Sequence, residues 1–136
     1  MNPTILIVDD ETDLADGCRR LLRRQGWTAV VARTRTAAIE ALPQGPALAI
    51  VDRRLPDGDG VDVLRAAVAA GTPAIMMSGQ DWVDTRRVAL DAGAAAFLGK
   101  PFSGHTLLEL VQAILGPAGP VPPRPAGAPP RPGASC

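Results

Sequence analysis

Ile5-Leu6-Ile7-Val8-Asp9-Asp10-Glu11 is the stretch that decides the fold. Four consecutive aliphatic residues suit a strand covered on both faces, and they run directly into three carboxylates. The arrangement recurs down the chain. Leu48-Ala49-Ile50-Val51 closes on Asp52, Ile75-Met76-Met77 closes on Ser78, and Phe97-Leu98 leads to Lys100 and Pro101. Amphipathic segments separate these runs, the pattern of βα units wound around a parallel sheet. Strands are predicted at residues 4–9, 28–32, 47–52, 74–78 and 95–98, and helices at about 12–25, 35–42, 61–70, 82–92 and 103–115. Parallel strands share the edge at which their carboxyl ends emerge, so Asp9, Asp10, Asp52, Ser78 and Lys100 are expected to converge there.

Helical spacing points Leu14, Cys18, Leu21 and Leu22 of the first helix inward, with Arg19, Arg20, Arg23 and Arg24 largely outward. The last helix turns Leu107, Leu110, Val111 and Ile114 inward and leaves Leu108 and Leu115 off the stripe, a candidate partner or dimer face. In the fourth helix Val83, Val88 and Leu90 make no clean stripe, so it is expected to be the least firmly packed. Gly26, Gly71 and Gly93 follow predicted helices, and Ser103 is a candidate cap for the last one.

The 136 residues divide into a compact domain, residues 1–116, and a tail, residues 117–136, which carries eight of the fourteen prolines. Such a composition buries too little to order itself and reads as a linker or tether, with Pro122-Pro123-Arg124-Pro125 and Pro129-Pro130-Arg131-Pro132 as alternative polyproline ligands. The net charge is zero, and nothing in its balance gives the basic footprint of direct nucleic acid binding. No apolar run reaches membrane-spanning length, so no membrane insertion is expected and the location read from the chain is cytoplasmic. Cys18 lies on a core stripe, Cys136 ends the tail, and His105 is the only histidine, so metal-ligand spacings of the Cys/His type are absent.

Three carboxylates brought to one edge repel each other and call for a cation. Asp9, Asp10 and Asp52 offer the oxygen ligands that Mg²⁺ takes, and that ion commonly shares its shell with a phosphate. Beside such an ion a carboxylate oxygen can serve as nucleophile toward phosphorus, giving an aspartyl phosphate. Lys100, the one lysine among fourteen basic residues, and Ser78 would stabilise the charge on the phosphoryl group. Singly, each residue has an ordinary explanation as a helix cap, a turn residue or a surface charge.

Taken together, Ile7-Val8-Asp9-Asp10-Glu11, Val51-Asp52, Leu55-Pro56-Asp57-Gly58-Asp59-Gly60, Met77-Ser78-Gly79 and Gly99-Lys100-Pro101-Phe102 resemble the receiver domain of bacterial two-component response regulators. The resemblance covers residues 4–116 in order. It implies a flavodoxin-like (βα)5 fold, a doubly wound five-stranded parallel sheet in the order 2-1-3-4-5. It implies that Asp52 is the phosphoacceptor, that Asp10 binds Mg²⁺ directly, that Asp9 does so directly or through water, and that the backbone carbonyl of Arg54 is a further ligand. Ser78 and Lys100 match the residues that hold the phosphoryl group, and Phe97 matches the aromatic switch position. The donor implied is a histidine kinase or a histidine phosphotransfer protein. The output implied is an altered surface on the fourth helix, fifth strand and fifth helix, acting on a downstream protein target or forming a homodimer. Beyond its own phosphorylation and dephosphorylation, no catalysis is implied. Arg54 and Gln80 flank the mouth of the site in such a frame and are candidates for tuning phosphoryl lifetime.

Other readings stay open at this point. A phosphate-independent interaction module with the same fold is one. A Mg²⁺-dependent phosphohydrolase is another, although the haloacid-dehalogenase pattern needs a second Asp where Arg54 stands. The chain reads either as a receiver acting alone or as one belonging to a longer regulator.

Overall fold

In the computed structural model, which describes residues 3–116, five parallel strands form one sheet: β1 (Thr4–Val8), β2 (Thr28–Ala32), β3 (Leu48–Asp52), β6 (Ala74–Ser78) and β7 (Ala96–Gly99). Two short strands, β4 (Arg54–Leu55) and β5 (Gly58–Asp59), pair antiparallel outside it. The helices are α1 (Thr12–Arg24), α2 (Arg35–Ala41), α3 (Gly60–Ala69), α4 (Trp82–Asp91) and α5 (Gly104–Leu115), with a short 3₁₀ turn at Leu42–Gln44. The sheet order is β2-β1-β3-β6-β7, which is the expected 2-1-3-4-5 once the two short strands are set aside. Register runs Ile7 beside Val31 and Ile50, and Ile50 beside Ile75.

Alternation along the strands builds two cores. Ile5, Ile7, Ile50, Ile75 and Met77 pack with α1 and α5 residues such as Leu22, Leu107 and Val111. Leu6, Val8, Val51 and Met76 pack on the other face with Val63 and Leu64 of α3 and Ala89 of α4. Side chains at successive strand positions point to opposite faces, so each apolar run feeds both cores at once. That is why the central strands show no polar alternation: β1 is buried from Ile5 onward, and β3 and β6 throughout.

Several predicted boundaries move. β1 stops at Val8 rather than Asp9, although the Asp9 N–H still donates to Ala32 O at 3.1 Å. β3 begins at Leu48 and β7 covers Ala96–Gly99, one residue later than predicted. Ser103 lies outside α5 and caps it, accepting from Thr106 N at 3.1 Å. β2 is an edge strand with Thr28 and Val30 exposed, so it is not covered on both faces. Between β3 and α3, where no strand was predicted, Arg54–Leu55 and Gly58–Asp59 form the β4–β5 ribbon. Leu108 and Leu115 are not free surface: both are partly buried against the α1–α5 core. In α4, as the missing stripe suggested, Thr85 and Ala89 are buried while Trp82, Val83 and Leu90 are exposed; α2 buries only Ala38. The expected tail, residues 117–136, lies outside the described residues.

Candidate phosphoryl-transfer site

The carboxyl ends of β1, β3 and β7 meet at one ammonium. Lys100 Nζ lies 3.0 Å from Asp9 Oδ2, 3.2 Å from Asp52 Oδ2 and 3.8 Å from Glu11 Oε1. Asp9 is fully buried; its other oxygen accepts from Glu11 N at 2.9 Å and so fixes the chain at the entry to α1. Asp52 is 7% exposed and Asp10 is open to solvent. One oxygen from each of Asp9, Asp10 and Asp52 lies within 4.8 Å of the others. Together with Arg54, Ser78, Gln80 and Lys100, Asp10 and Asp52 line a cavity of about 370 Å³.

Electrostatics follow from this crowding. Burial pushes the Asp52 carboxyl up to about 6, with the Lys100 charge pulling back and the Asp9 charge adding to the rise. Burial pulls the Lys100 ammonium down. The hydrogen bond to Asp9 and the charges of Asp52 and Asp9 outweigh it and hold the group above its ordinary value. Cys18, beneath the site in the α1 core, is pushed up to about 11 by burial, with Asp9 adding and Lys100 opposing, so it stays a neutral thiol.

Two local features keep Asp52 in place. Gly60 N donates to Arg53 O at 2.6 Å, and a Cβ on Gly60 would stand 2.0 Å from Asp52 O, so only glycine lets α3 start this close to β3. Arg53 N donates to Met77 O at 3.0 Å, tying the end of β3 to β6.

Of the residues singled out in the sequence, Asp9, Asp52 and Lys100 are in direct contact, and Asp10 completes the oxygen cluster. Ser78 is buried at the end of β6, but its hydroxyl donates to Gln80 O at 2.6 Å and accepts from Gln80 N at 3.2 Å, within its own loop. Phe97 is half-buried in β7 and packs with the α3–α4 core, on the face of the sheet opposite the α1–α5 core. Arg54 lies on β4 at the cavity rim, its guanidinium 4.0 Å from Asp81.

Sequence reasoning missed two polar groupings. Asp57 reaches across to α2, accepting from Arg35 N at 2.6 Å, Thr36 N at 3.0 Å and Thr36 Oγ1 at 2.9 Å. The Thr36 and Arg35 backbone N–H groups hold its carboxyl below the ordinary value. Arg53 donates to Thr85 Oγ1 at 3.0 Å and lies near Asp59 and Asp84. The one available signal for the second was Thr85 itself, a hydroxyl four residues before Ala89, on the inward face of a helix that otherwise lacks an apolar stripe.

This fold and this edge are those of a known class. Residues 5–112 match the model of the response regulator receiver domain, and the chain belongs to that family. The sensory transduction protein RegX3 of Mycobacterium tuberculosis is 33% identical over 114 residues, which are 82% of this chain and 50% of that protein. The transcriptional regulatory protein CpxR of Escherichia coli is 32% identical over 112 residues, 82% of this chain and 48% of that protein. The chain thus spans about half the length of the curated relatives it matches. Among solved structures, the CheY-like response regulator receiver domain protein of Methanospirillum hungatei superposes with a TM-score of 0.72 at 32% identity, covering 82% of this chain and 92% of that one. Among the described residues, no helix is long and apolar enough to cross a membrane.

Proposed function

We propose that this receiver domain accepts a phosphoryl group on Asp52 from a phosphohistidine donor and uses it to change the surface built by α4, β7 and α5. The observation that supports this most strongly is Lys100 Nζ set between Asp9 and Asp52 at 3.0 and 3.2 Å. In that position an ammonium already bound to the acceptor carboxylate can pass to a phosphoryl oxygen without travelling. An Asp52 oxygen forms the bond to phosphorus while the donor's P–N bond breaks, and the electron pair leaves with the imidazole. Ser78 has to leave the Gln80 backbone to reach the new oxygens, which links phosphorylation to movement of the loop leading into α4.

The donor set fits a divalent cation. All the candidate ligands are oxygens, as hard ions prefer, and three clustered carboxylates face one ammonium, leaving two negative charges uncompensated. Asp9, Asp10 and Asp52, with the Arg54 carbonyl, would hold Mg²⁺. When bound, it supplies charge neutralisation for the carboxylates and the incoming phosphate. The Arg54 side chain and Gln80, at the cavity rim, set how freely water reaches the phosphoryl group.

The partners that this reading calls for are a histidine kinase or histidine phosphotransfer protein and a downstream protein bound by the altered surface, with homodimerisation through it as the second outlet. Relatives named as transcriptional regulators are about twice as long as the stretch they share with this chain.

Intact mass after incubation with acetyl phosphate and Mg²⁺ tests the proposal. A single phosphoryl adduct, absent in Asp52→Asn and without metal, is expected. A folded protein that takes no adduct and ignores beryllofluoride would overturn it in favour of a phosphate-independent interaction module. Steady release of phosphate without an adduct would favour a phosphohydrolase.

A further inference from the structure

Asp52 and α4 are served by opposite faces of the sheet. Asp52 lies in register with Ile50, whose side chain joins the α1–α5 core, whereas Arg53 follows Val51, which joins the α3–α4 core. Besides the Ser78–Gln80 loop at the sheet edge, a second link from Asp52 to α4 therefore has to pass through the chain to the other face. The residue bonded to Asp52 on the α4 side is Arg53.

Its side chain makes an unusual set of contacts. Nη1 donates to Thr85 Oγ1 at 3.0 Å and lies 3.8 Å from Asp84 Oδ2, while Nε lies 3.5 Å from Asp59 Oδ1. Thr85 is 2% exposed and the Arg53 side chain 25%, so the hydrogen bond is partly buried, and the fork geometry of the guanidinium lets one side chain hold two elements. The same residue's backbone is bound on both sides, N–H to Met77 and carbonyl to Gly60. Arg53 thus sits at the junction of β3, β5, β6 and α4.

The rest of the helix is held by Val88, partly buried against the core, and by Trp82 lying over Gly99. Apart from Thr85, the only fully buried residue of α4 is Ala89, which contributes a single methyl group to the core. The helix start is also weakly fixed: Asp81 at its N-cap has φ 50°, in the left-handed region, and makes no side-chain capping bond.

We infer that Arg53 is a positioning residue: its side chain latches the first turn of α4 to the end of β3 in the resting state, and the latch must open when Asp52 is phosphorylated. The reasoning deepens the proposed function and rests on Asp52 being the acceptor. Ser78 can reach a phosphoryl group only by leaving Gln80, and residues 79–81 lead directly into the turn that carries Asp84 and Thr85. Moving that loop strains the Arg53–Thr85 bond. The latch thereby weights the balance toward the resting arrangement, and whatever favours the other arrangement must bind harder against it.

Two readouts test this on the full chain. Backbone amide exchange of α4 is measured in wild type, Arg53→Met and Thr85→Val, without phosphate. The apparent affinity for beryllofluoride is then measured with Mg²⁺ present. Arg53→Met keeps the aliphatic stem, and Thr85→Val keeps the buried shape and breaks the same bond from the other side. Expected are α4 amides exchanging faster by on the order of tenfold, the ratio carried by one hydrogen bond to a charged group. A severalfold tighter apparent affinity is also expected, with the double variant no different from either single one. A purely structural role would loosen α4 and leave the beryllofluoride affinity unchanged or weaker, and that result overturns the inference. Should the wild type bind no beryllofluoride and take no phosphoryl group from acetyl phosphate, the proposed function has failed. The latch is then decided by exchange alone, and equal α4 exchange in all variants overturns it.

Discussion

At the scale of single residues, the site is a balance of one ammonium against buried carboxylates. Asp52 has a pKa of about 6 in the folded chain against an ordinary 3.8, so the folded state holds its proton more tightly than the unfolded one. Between those two values the folded state carries the extra proton, and stability contributed by this group falls as pH rises. In metal-free buffer the unfolding midpoint should therefore decline from about pH 4 to about pH 6 by this contribution and then level off. Asp52→Asn should flatten that decline. At pH 7.5 it should stabilise the domain by about 1–2 kcal/mol, less than the full shift because the contact with Lys100 is also lost. Urea melts of both proteins across this range check it, and identical pH profiles would refute it. Lys100→Met should act the other way, leaving Asp9 buried beside no cation at a cost of about 3 kcal/mol at neutral pH.

At the scale of elements, the sequence was legible wherever a run of apolar residues ended in charge. β1, β3 and β6 could be placed by their buried stretches, and their ends brought Asp9, Asp52 and Ser78 to a common edge. β4 and β5 were not legible, because two residues give no period to read. The Arg53–Thr85 and Asp57–α2 contacts were hidden for another reason. They join residues 32 and 22 apart, and nothing local to either partner announces the other. Leu108 and Leu115 misled because α5 packs against α1 as well as the sheet, so its buried face is wider than one stripe. Asp57 yields the prediction for this scale. By capping α2 across a loop it joins two elements, so Asp57→Ala should fray the start of α2 and lower the melting temperature. Amide exchange at Arg35 and Thr36 should rise while exchange in α5 stays unchanged. Because its carboxyl is held below the ordinary value, this contribution is present above the unfolded-state pKa and disappears as pH falls through the folded-state one.

At the scale of the whole molecule, the two cores differ in what they support. The α1–α5 side lies beneath the chemistry and is packed with large aliphatic residues; the other ends in α4, whose buried face is Thr85 and Ala89. In a domain arranged in this way the carboxylate edge rests on the more heavily packed core, and α4 is the element expected to move most readily. Mg²⁺ should stabilise the entire fold through the carboxylate cluster, because it binds the native arrangement and not the open chain. Titrating Mg²⁺ at pH 7.5 should raise the melting temperature, chelation should reverse the rise, and Asp10→Asn should remove most of it. An equal rise in that variant would place the ion elsewhere.

The position of Trp82 has a practical consequence. Its indole is about half exposed and covers Gly99, the residue before Lys100, so closely that a Cβ there would meet the ring at 2.7 Å. The chain's other tryptophan, Trp27, is 2% exposed within the α1–α5 core. The protein is therefore born with two optical probes at independent stations. Light emitted by Trp27 follows whether the chain is folded, and light emitted by Trp82 follows what α4 is doing. In a Trp27→Phe background the second signal can be watched in real time, with no dye attached and no label introduced.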